Sequence, residues 1–493
     1  MPQTDSIALR GSLPSDGGEP GPQDGDSSDV APNFDQSSSR QRISGRQRAS
    51  VLVGSSILQL PIWGFAMNYG VFQEYYSSNW TLKGSRETTG IIGTTSNGVM
   101  YLSMPFLFAL FTRRWARRRQ IAALAGAALT CVSFLLSSFS TDVWHLVATQ
   151  GVTAAVGCAL IYSPTTLSLG EWFNTGNRAF AYGAVLSCKN IVGSTCPFLL
   201  RALLDRYGFR ATLRIWTAVA AGSSLVGVFM IPTTPLPPST MASASSSAHR
   251  SRRIPWHFLK HRTFYIYSIA TILQSSGYGI PQTYLSTYAA EVTQLSQTSA
   301  TLLLTLFNLP GIISSAFFGY LSSDSTNRCF PSLSATTVTA ISAISSALST
   351  FLFWGLTSSH AGGGGGSGGG AGTFALLVLF SMTFGFFAGG YSATWGGVIN
   401  DLEREAAMRN EAVDSGMLYG LFNGARGIGY VGGGLAGVSL LKAGASIAST
   451  PAHGPGYDTA YGPLIIFTGL STVLGGWGVL WKVVPKLKML RWV

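Results

Sequence analysis

The sequence predicts an all-α membrane protein of twelve transmembrane helices arranged as two six-helix halves. Composition is the first observation behind this. Of 493 residues 46% are hydrophobic and only 11% charged, with mean hydropathy +0.30, whereas a soluble domain carries roughly 25% charge. A water-facing surface cannot be built from such a chain. The second observation is the recurrence of uncharged runs of about 20 residues, the length that crosses a bilayer as a helix. They fall near 50–72, 88–111, 120–140, 143–168, 179–201, 211–232, 264–290, 297–321, 332–354, 374–399, 413–440 and 462–484. The third is the longest polar interruption, 233–262, which divides the runs six and six, the layout of a protein built from two repeated halves.

Residues 1–46 are rich in Ser, Gly, Pro and Asp, and acidic up to Arg40. Such a stretch cannot bury enough apolar surface to offset its ordering entropy, so a disordered acidic tail is expected. The first six-helix half then covers 47–232, a Pro, Ser and base-rich linker 233–262, the second half 263–485, and a basic tail 486–493. The low-complexity run Ala361 to Gly372 has almost no side chains to pack and reads as a loop. Five cysteines, four of them inside apolar runs, form no even disulfide framework and read as small buried hydrophobes. No basic segment followed by a short apolar stretch opens the chain, so no cleavable leader is expected.

Net charge is +12, but the basic residues lie in bursts between spans, which is the footprint of orientation and not of nucleic-acid binding. Arg40 to Arg48, Arg113 to Arg119, Arg250 to Arg262 and Lys482 to Arg491 share one side; Lys83, Arg86, Arg201, Arg206, Arg210, Arg214 and Lys442 are on the other. Both termini are therefore expected to be cytoplasmic, in the plasma membrane. Asn79-Trp80-Thr81, a glycosylation sequon, falls in the first outer loop.

Several clusters resemble the fungal monocarboxylate-porter-like branch of the major facilitator superfamily. They are Asn68-Tyr-Gly-Val-Phe-Gln-Glu-Tyr-Tyr76, Glu171-Trp-Phe with Arg178 and Gly183, and Arg210-Ala-Thr-Leu-Arg-Ile-Trp216. Further along come Pro281 with Tyr284, Leu285, Tyr288 and Ala289, then Gly389-Gly-Tyr-Ser-Ala-Thr-Trp-Gly-Gly397, and Asn423-Gly-Ala-Arg-Gly-Ile-Gly429. The resemblance implies the major facilitator fold, with the fifth and eleventh spans bordering a central cavity from opposite halves. It covers about residues 50–485. The acid and arginine that the family's animal members carry in the eighth span are absent from Thr301 to Tyr320, and the superfamily's loop motif is degenerate at Phe111 to Arg119.

Ionisable groups deep in a span are costly and therefore functional candidates. Two sit deep: Lys189, about 15 Å into the fifth span, and Arg426, about 20 Å into the eleventh at 1.5 Å per residue. Two cations facing one cavity favour an anionic substrate; the alternative is that each bonds to backbone carbonyls or polar neighbours. Arg426 is the candidate for a substrate carboxylate or enolate, with Asn423 in support. Asn68, Asn97, Tyr284, Tyr288, Tyr391 and Trp395 are candidates for the remaining pocket, against packing or interhelical hydrogen bonding as their other role. Carboxylates are expected only at helix ends, as with Glu74, which leaves Lys189 as the candidate proton-exchanging group.

Gly427-Ile-Gly-Tyr-Val-Gly432 matches a dinucleotide pattern but follows no strand and lies in an apolar span, so it is set aside. Gly416, Gly420 and Gly424, then Gly429, Gly433 and Gly437, instead form two runs at spacing four that admit a close neighbour, offset around the helix by the step of five. The resembled fold implies a gate of ion pairs between the halves, with Arg113, Arg114 and Arg178 opposite Glu411, Asp414 and Asp324, against solvated loop charges as their other role. No H-E-x-x-H or His/Asp cluster supports an enzyme, and no metal or cofactor is expected. The function expected is secondary transport of an organic anion or weak organic acid by alternating access, with efflux of a secondary metabolite. Proton-coupled uptake of a small monocarboxylate, or a non-transporting sensor, is the alternative. The partners are the lipid bilayer, the small-molecule anion and protons as a candidate coupling ion, with no nucleic acid.

Overall fold

A computed structural model describes residues 34–79, 81–112, 115–173, 178–232, 259–322, 333–357, 368–411, 413–447 and 455–480, with the side chains of 34–44, 178–180, 368–370 and 415 excepted. Residues Met1–Gly45 and Arg46–Val493 are separate units, and apart from the start of α1 the second contains everything below. The helices are α1 (Phe34–Ile57), α2 (Gln59–Trp63), α3 (Tyr69–Ser78), α4 (Gly90–Thr112), α5 (Arg119–Ser137), α6 (Val143–Leu146), α7 (Ala154–Trp172) and α8 (Arg178–Met230). In the second half follow α9 (Arg262–Glu291), α10 (Gln297–Asn308), α11 (Gly311–Ser322), α12 (Ala335–Ser349), α13 (Gly368–Gly390), α14 (Trp395–Met408), α15 (Ser415–Ile447) and α16 (Gly462–Leu474). Among the described residues the fold is all-α, the one strand-like contact being an isolated bridge between Lys83 and Asp142. α1 reaches back to Phe34, so part of the segment expected to be a disordered tail is helical; from Phe34 to Arg48 it holds no proline and several good helix formers.

Helix lies on each of the twelve apolar intervals, yet among the described residues seven helices are long and apolar enough to span on those grounds alone, or eight if the pair bent by 43° at Gly64–Phe65 is one span. The shortfall has identifiable causes. α8 is two helices, one for each of two intervals, that follow each other directly across a non-helical break at Gly208, whose φ of 73° a side chain would strain. Pro310 separates α10 from α11 without ending their common span. α4, α9 and α15 are less apolar because they carry the Gly, Ser, Thr, Asn and Tyr of the interior.

Those three helices form the seam between the halves. The first glycine run of α15 faces α4: a Cβ on Gly424 would stand 2.6 Å from Pro105 Cγ, and one on nearby Gly427 2.5 Å from the Leu102 amide nitrogen. The second run faces α9, where a Cβ on Gly433 would overlap the Ser276 carbonyl. Elsewhere the halves meet through hydrogen bonds from Gln282 Nε2 to the Met67 carbonyl, 3.2 Å, and from Asn308 Nδ2 to the Gly193 carbonyl, 3.1 Å.

One ion pair departs from the sequence expectation. Glu74 and Arg201, taken as a helix end and an outer-loop base, are both buried and paired with each other. Ser78 Oγ donates to Glu74 at 2.8 Å and Arg201 Nε donates to Asp205 at 3.0 Å. Removing one member of such a pair strands the other charge and costs about 3–5 kcal/mol, more than removing both. Glu74→Gln is therefore expected to lower the unfolding temperature in detergent more than Glu74→Gln with Arg201→Met; equal losses would show that Arg201 carries no penalty when left without Glu74.

Candidate functional site

Arg426 projects from the middle of α15 into the seam and is 7% exposed. No carboxylate among the described residues forms an ion pair with it or with Lys189. Four rings surround its guanidinium instead: Tyr101 of α4 at 5.0 Å, Tyr278 of α9 at 5.4 Å, Tyr430 at 5.8 Å and Trp395 at 5.9 Å. Its Nε has no hydrogen-bond partner. Stacking on aromatic faces suits a guanidinium, but a buried N–H without an acceptor is expensive unless a ligand supplies one.

Lys189 arrives from the other half on α8, its Nζ 4.0 Å above the Trp63 ring. Trp63 lies 5.6 Å from Tyr101, and Tyr101 stacks on Tyr430 at 5.6 Å and 29°. The two cations thus sit over one aromatic wall that crosses the seam. Each element has a local reason. Trp63 and Tyr101 stand on the bent first span and on α4; Tyr430 follows Arg426 by one turn, which puts both on one face of α15.

Of the candidates from sequence, Arg426, Lys189 and Trp395 meet at this wall. Asn423, one turn before Arg426, donates to its own helix at the Tyr419 carbonyl, 2.8 Å, and Tyr419 packs on Trp395 at 5.8 Å. The other five lie away from these rings with contacts of their own, although the Tyr284 hydroxyl and Asn68 Oδ1 are buried without a hydrogen-bond partner. Asn97 donates at 3.2 Å to the carbonyls of Ala66 and Gly93, tying the first span to α4, and Asn68 donates to Gly64 at 2.7 Å. Tyr391 donates to the Gly475 carbonyl at 3.0 Å, Tyr288 bonds Thr357, and Tyr284 is buried against Gly90. Sequence reasoning missed Trp63, Tyr101, Tyr278 and Tyr430; only Tyr430, four residues from a deep arginine, carried a local signal.

At the opposite end of the bundle from Asn79, charges pair within each half. Arg119 makes a two-pronged contact with Glu171 at 2.7 and 2.8 Å and donates to the Phe111 carbonyl at 3.0 Å. In the other half buried His261 lies between Glu405, 3.2 Å, and Glu411, 3.0 Å, while Thr263 donates to Glu405 at 2.6 Å. Asp414 caps α15 by accepting from the Met417 amide at 3.1 Å. Arg113, Arg114 and Asp324 lie outside the described residues, as does the side chain of Arg178. Asn79 is exposed, at the end of α3.

Comparison with known proteins bears on this arrangement. The profile of the Major Facilitator Superfamily matches residues 51–369. An MFS-type transporter of Gibberella moniliformis is 27% identical over 55% of this chain and 62% of its own length. Monocarboxylate transporter 10 of Danio rerio is 29% identical over 42% of this chain and 40% of its own. The MFS-type transporter pynF of Aspergillus niger is 22% identical over 55% and 60%. In each case the match spans less than two thirds of the relative's length.

Proposed function

We propose that this chain, which belongs to the major facilitator superfamily, is a secondary transporter that carries an organic anion or weak organic acid across a membrane by alternating access. It is a multi-pass membrane protein, and its family and relatives are transporters rather than enzymes. The observation that carries the anion reading is Arg426: buried between the halves, ringed by aromatics, with Nε left without an acceptor. A substrate carboxylate supplies that acceptor in a charge-assisted hydrogen bond, and the rings suit a flat, bulky framework better than a two- or three-carbon acid. Efflux of a secondary metabolite follows as the physiological direction, with proton-coupled monocarboxylate uptake as the second reading, favoured by the monocarboxylate transporter relatives. Comparing metabolites in cells and medium with and without the protein separates the two. Loss of a hydrogen bond to a charged group is worth about 1.5–3 kcal/mol, so Arg426→Gln in well-expressed protein is expected to weaken anion uptake into vesicles by roughly 10- to 150-fold at equal folding. Unchanged affinity removes Arg426 from the site.

The charged residues at the His261 end support a gate in modified form. Arg119–Glu171 and His261–Glu405–Glu411 hold the ends of their own halves in shape, while the other gate candidates, Arg113, Arg114, Asp324 and the side chain of Arg178, lie outside the described residues. Reversing charge with Glu411→Lys is expected to raise cysteine-labelling accessibility at that end of the seam; identical labelling rates assign Glu411 to structure alone. Both termini lie in the cytoplasm in this reading, at the plasma membrane, with exposed Asn79 outside. Glycosidase treatment should then shift the mass of the native chain but not of Asn79→Gln, and the absence of any shift in native protein removes Asn79 as a modified site.

A further inference from the structure

We infer that the substrate is a dianion, with two acidic groups on one flat conjugated framework, such as an aromatic dicarboxylate or a carboxylate with an ionised phenol or enol. The inference rests on the reading of the Arg426 region as the substrate site, and narrows it. The site presents two cations and not one: Lys189 from the first half and Arg426 from the second, over the adjoining rings Trp63 and Tyr101. The one buried carboxylate among the described residues, Glu74, is occupied by Arg201 and Ser78.

Magnitudes decide what the rings leave undone. A cation over an aromatic face gains about 0.5–2 kcal/mol, whereas holding an ion in a low-dielectric interior costs several kcal/mol. The aromatic wall therefore softens both charges without neutralising either. A monoanion engaging Arg426 compensates one cation and leaves Lys189 with a ring as its sole counterpart. An acidic group at each end of a ring-sized framework reaches both, because the rings beneath the two cations are 5.6 Å apart. The framework itself lies along the wall, stacking on one of the two rings and meeting the other at an angle, since the planes of Trp63 and Tyr101 are inclined by 43°. Since α8 and α15 belong to different halves, such a ligand also ties the halves together, which a monoanion held by Arg426 does not.

Equilibrium binding to the full-length purified protein tests this with two matched pairs of probes: terephthalate against benzoate, and naphthalene-2,6-dicarboxylate against 2-naphthoate. Tryptophan fluorescence and calorimetry at neutral pH supply the readout. The dianion of each pair is expected to bind at least tenfold more tightly than its monoanion. Lys189→Met should collapse that ratio toward one, Lys189→Arg should preserve it, and Arg426→Gln should weaken all four probes. Equal affinity within each pair, with all four still weakened by Arg426→Gln, overturns the dianion inference and leaves the anion site standing. Binding that Arg426→Gln does not alter, or no binding of any probe, overturns both. A Lys189→Met chain that elutes as aggregate is read through Lys189→Arg and the native ratio, which alone refutes the inference if it is near one.

Discussion

Backbone-to-backbone approach of α15 to α4 on one side and α9 on the other is the constraint on which the rest of the interior depends. At Gly427 and Gly433 there is no room for even one methyl group, so the three helices pack as closely as peptide groups allow. In a membrane, where helices gain nothing by leaving lipid for another apolar surface, such close van der Waals contact is a principal source of association. It also fixes geometry. With α15 wedged between the two neighbours, Arg426 has no route to either membrane surface and must face the rings of Tyr101, Tyr278 and Tyr430.

The charges of the interior divide into two kinds. Glu74 with Arg201, Arg119 with Glu171, and His261 with Glu405 and Glu411 are satisfied within one half, and each ties neighbouring helices of that half together. Lys189 lies over Trp63 of its own half and Arg426 over the adjoining Tyr101 of the other half, and no carboxylate among the described residues pairs with either. A rigid half that closes against another needs the first kind; a site that waits for an anion needs the second. The proposed alternating access would use this separation, the halves moving as units while the unneutralised charge stays at their junction.

The same physics explains which candidates proved structural. Asn68 and Asn97 sit where the first span is bent between α2 and α3, and the carbonyls released by that bend need donors; the amide side chains provide them. Tyr288 and Tyr391 are buried in the second half with hydroxyls already bonded to Thr357 and Gly475. Their residue type drew them into the candidate pocket, and in the structure their hydroxyls are engaged by the fold.

Composition, span length and charge asymmetry by themselves determined the class of this protein, because lipid admits only helices or closed barrels and prices every charge by depth. For the same reason the two deep cations were legible, as was the change of face between the glycine runs, since both follow from helical periodicity. What only the tertiary structure decided was partnership. Glu74 and Arg201 are far apart in sequence, as are Trp63 and Lys189, or Tyr101 and Arg426, and neither spacing nor periodicity links residues on different helices. Whether a polar side chain serves the fold or a ligand depends on what stands within 4 Å of it, and in a helical bundle that is set by packing between helices, not along one.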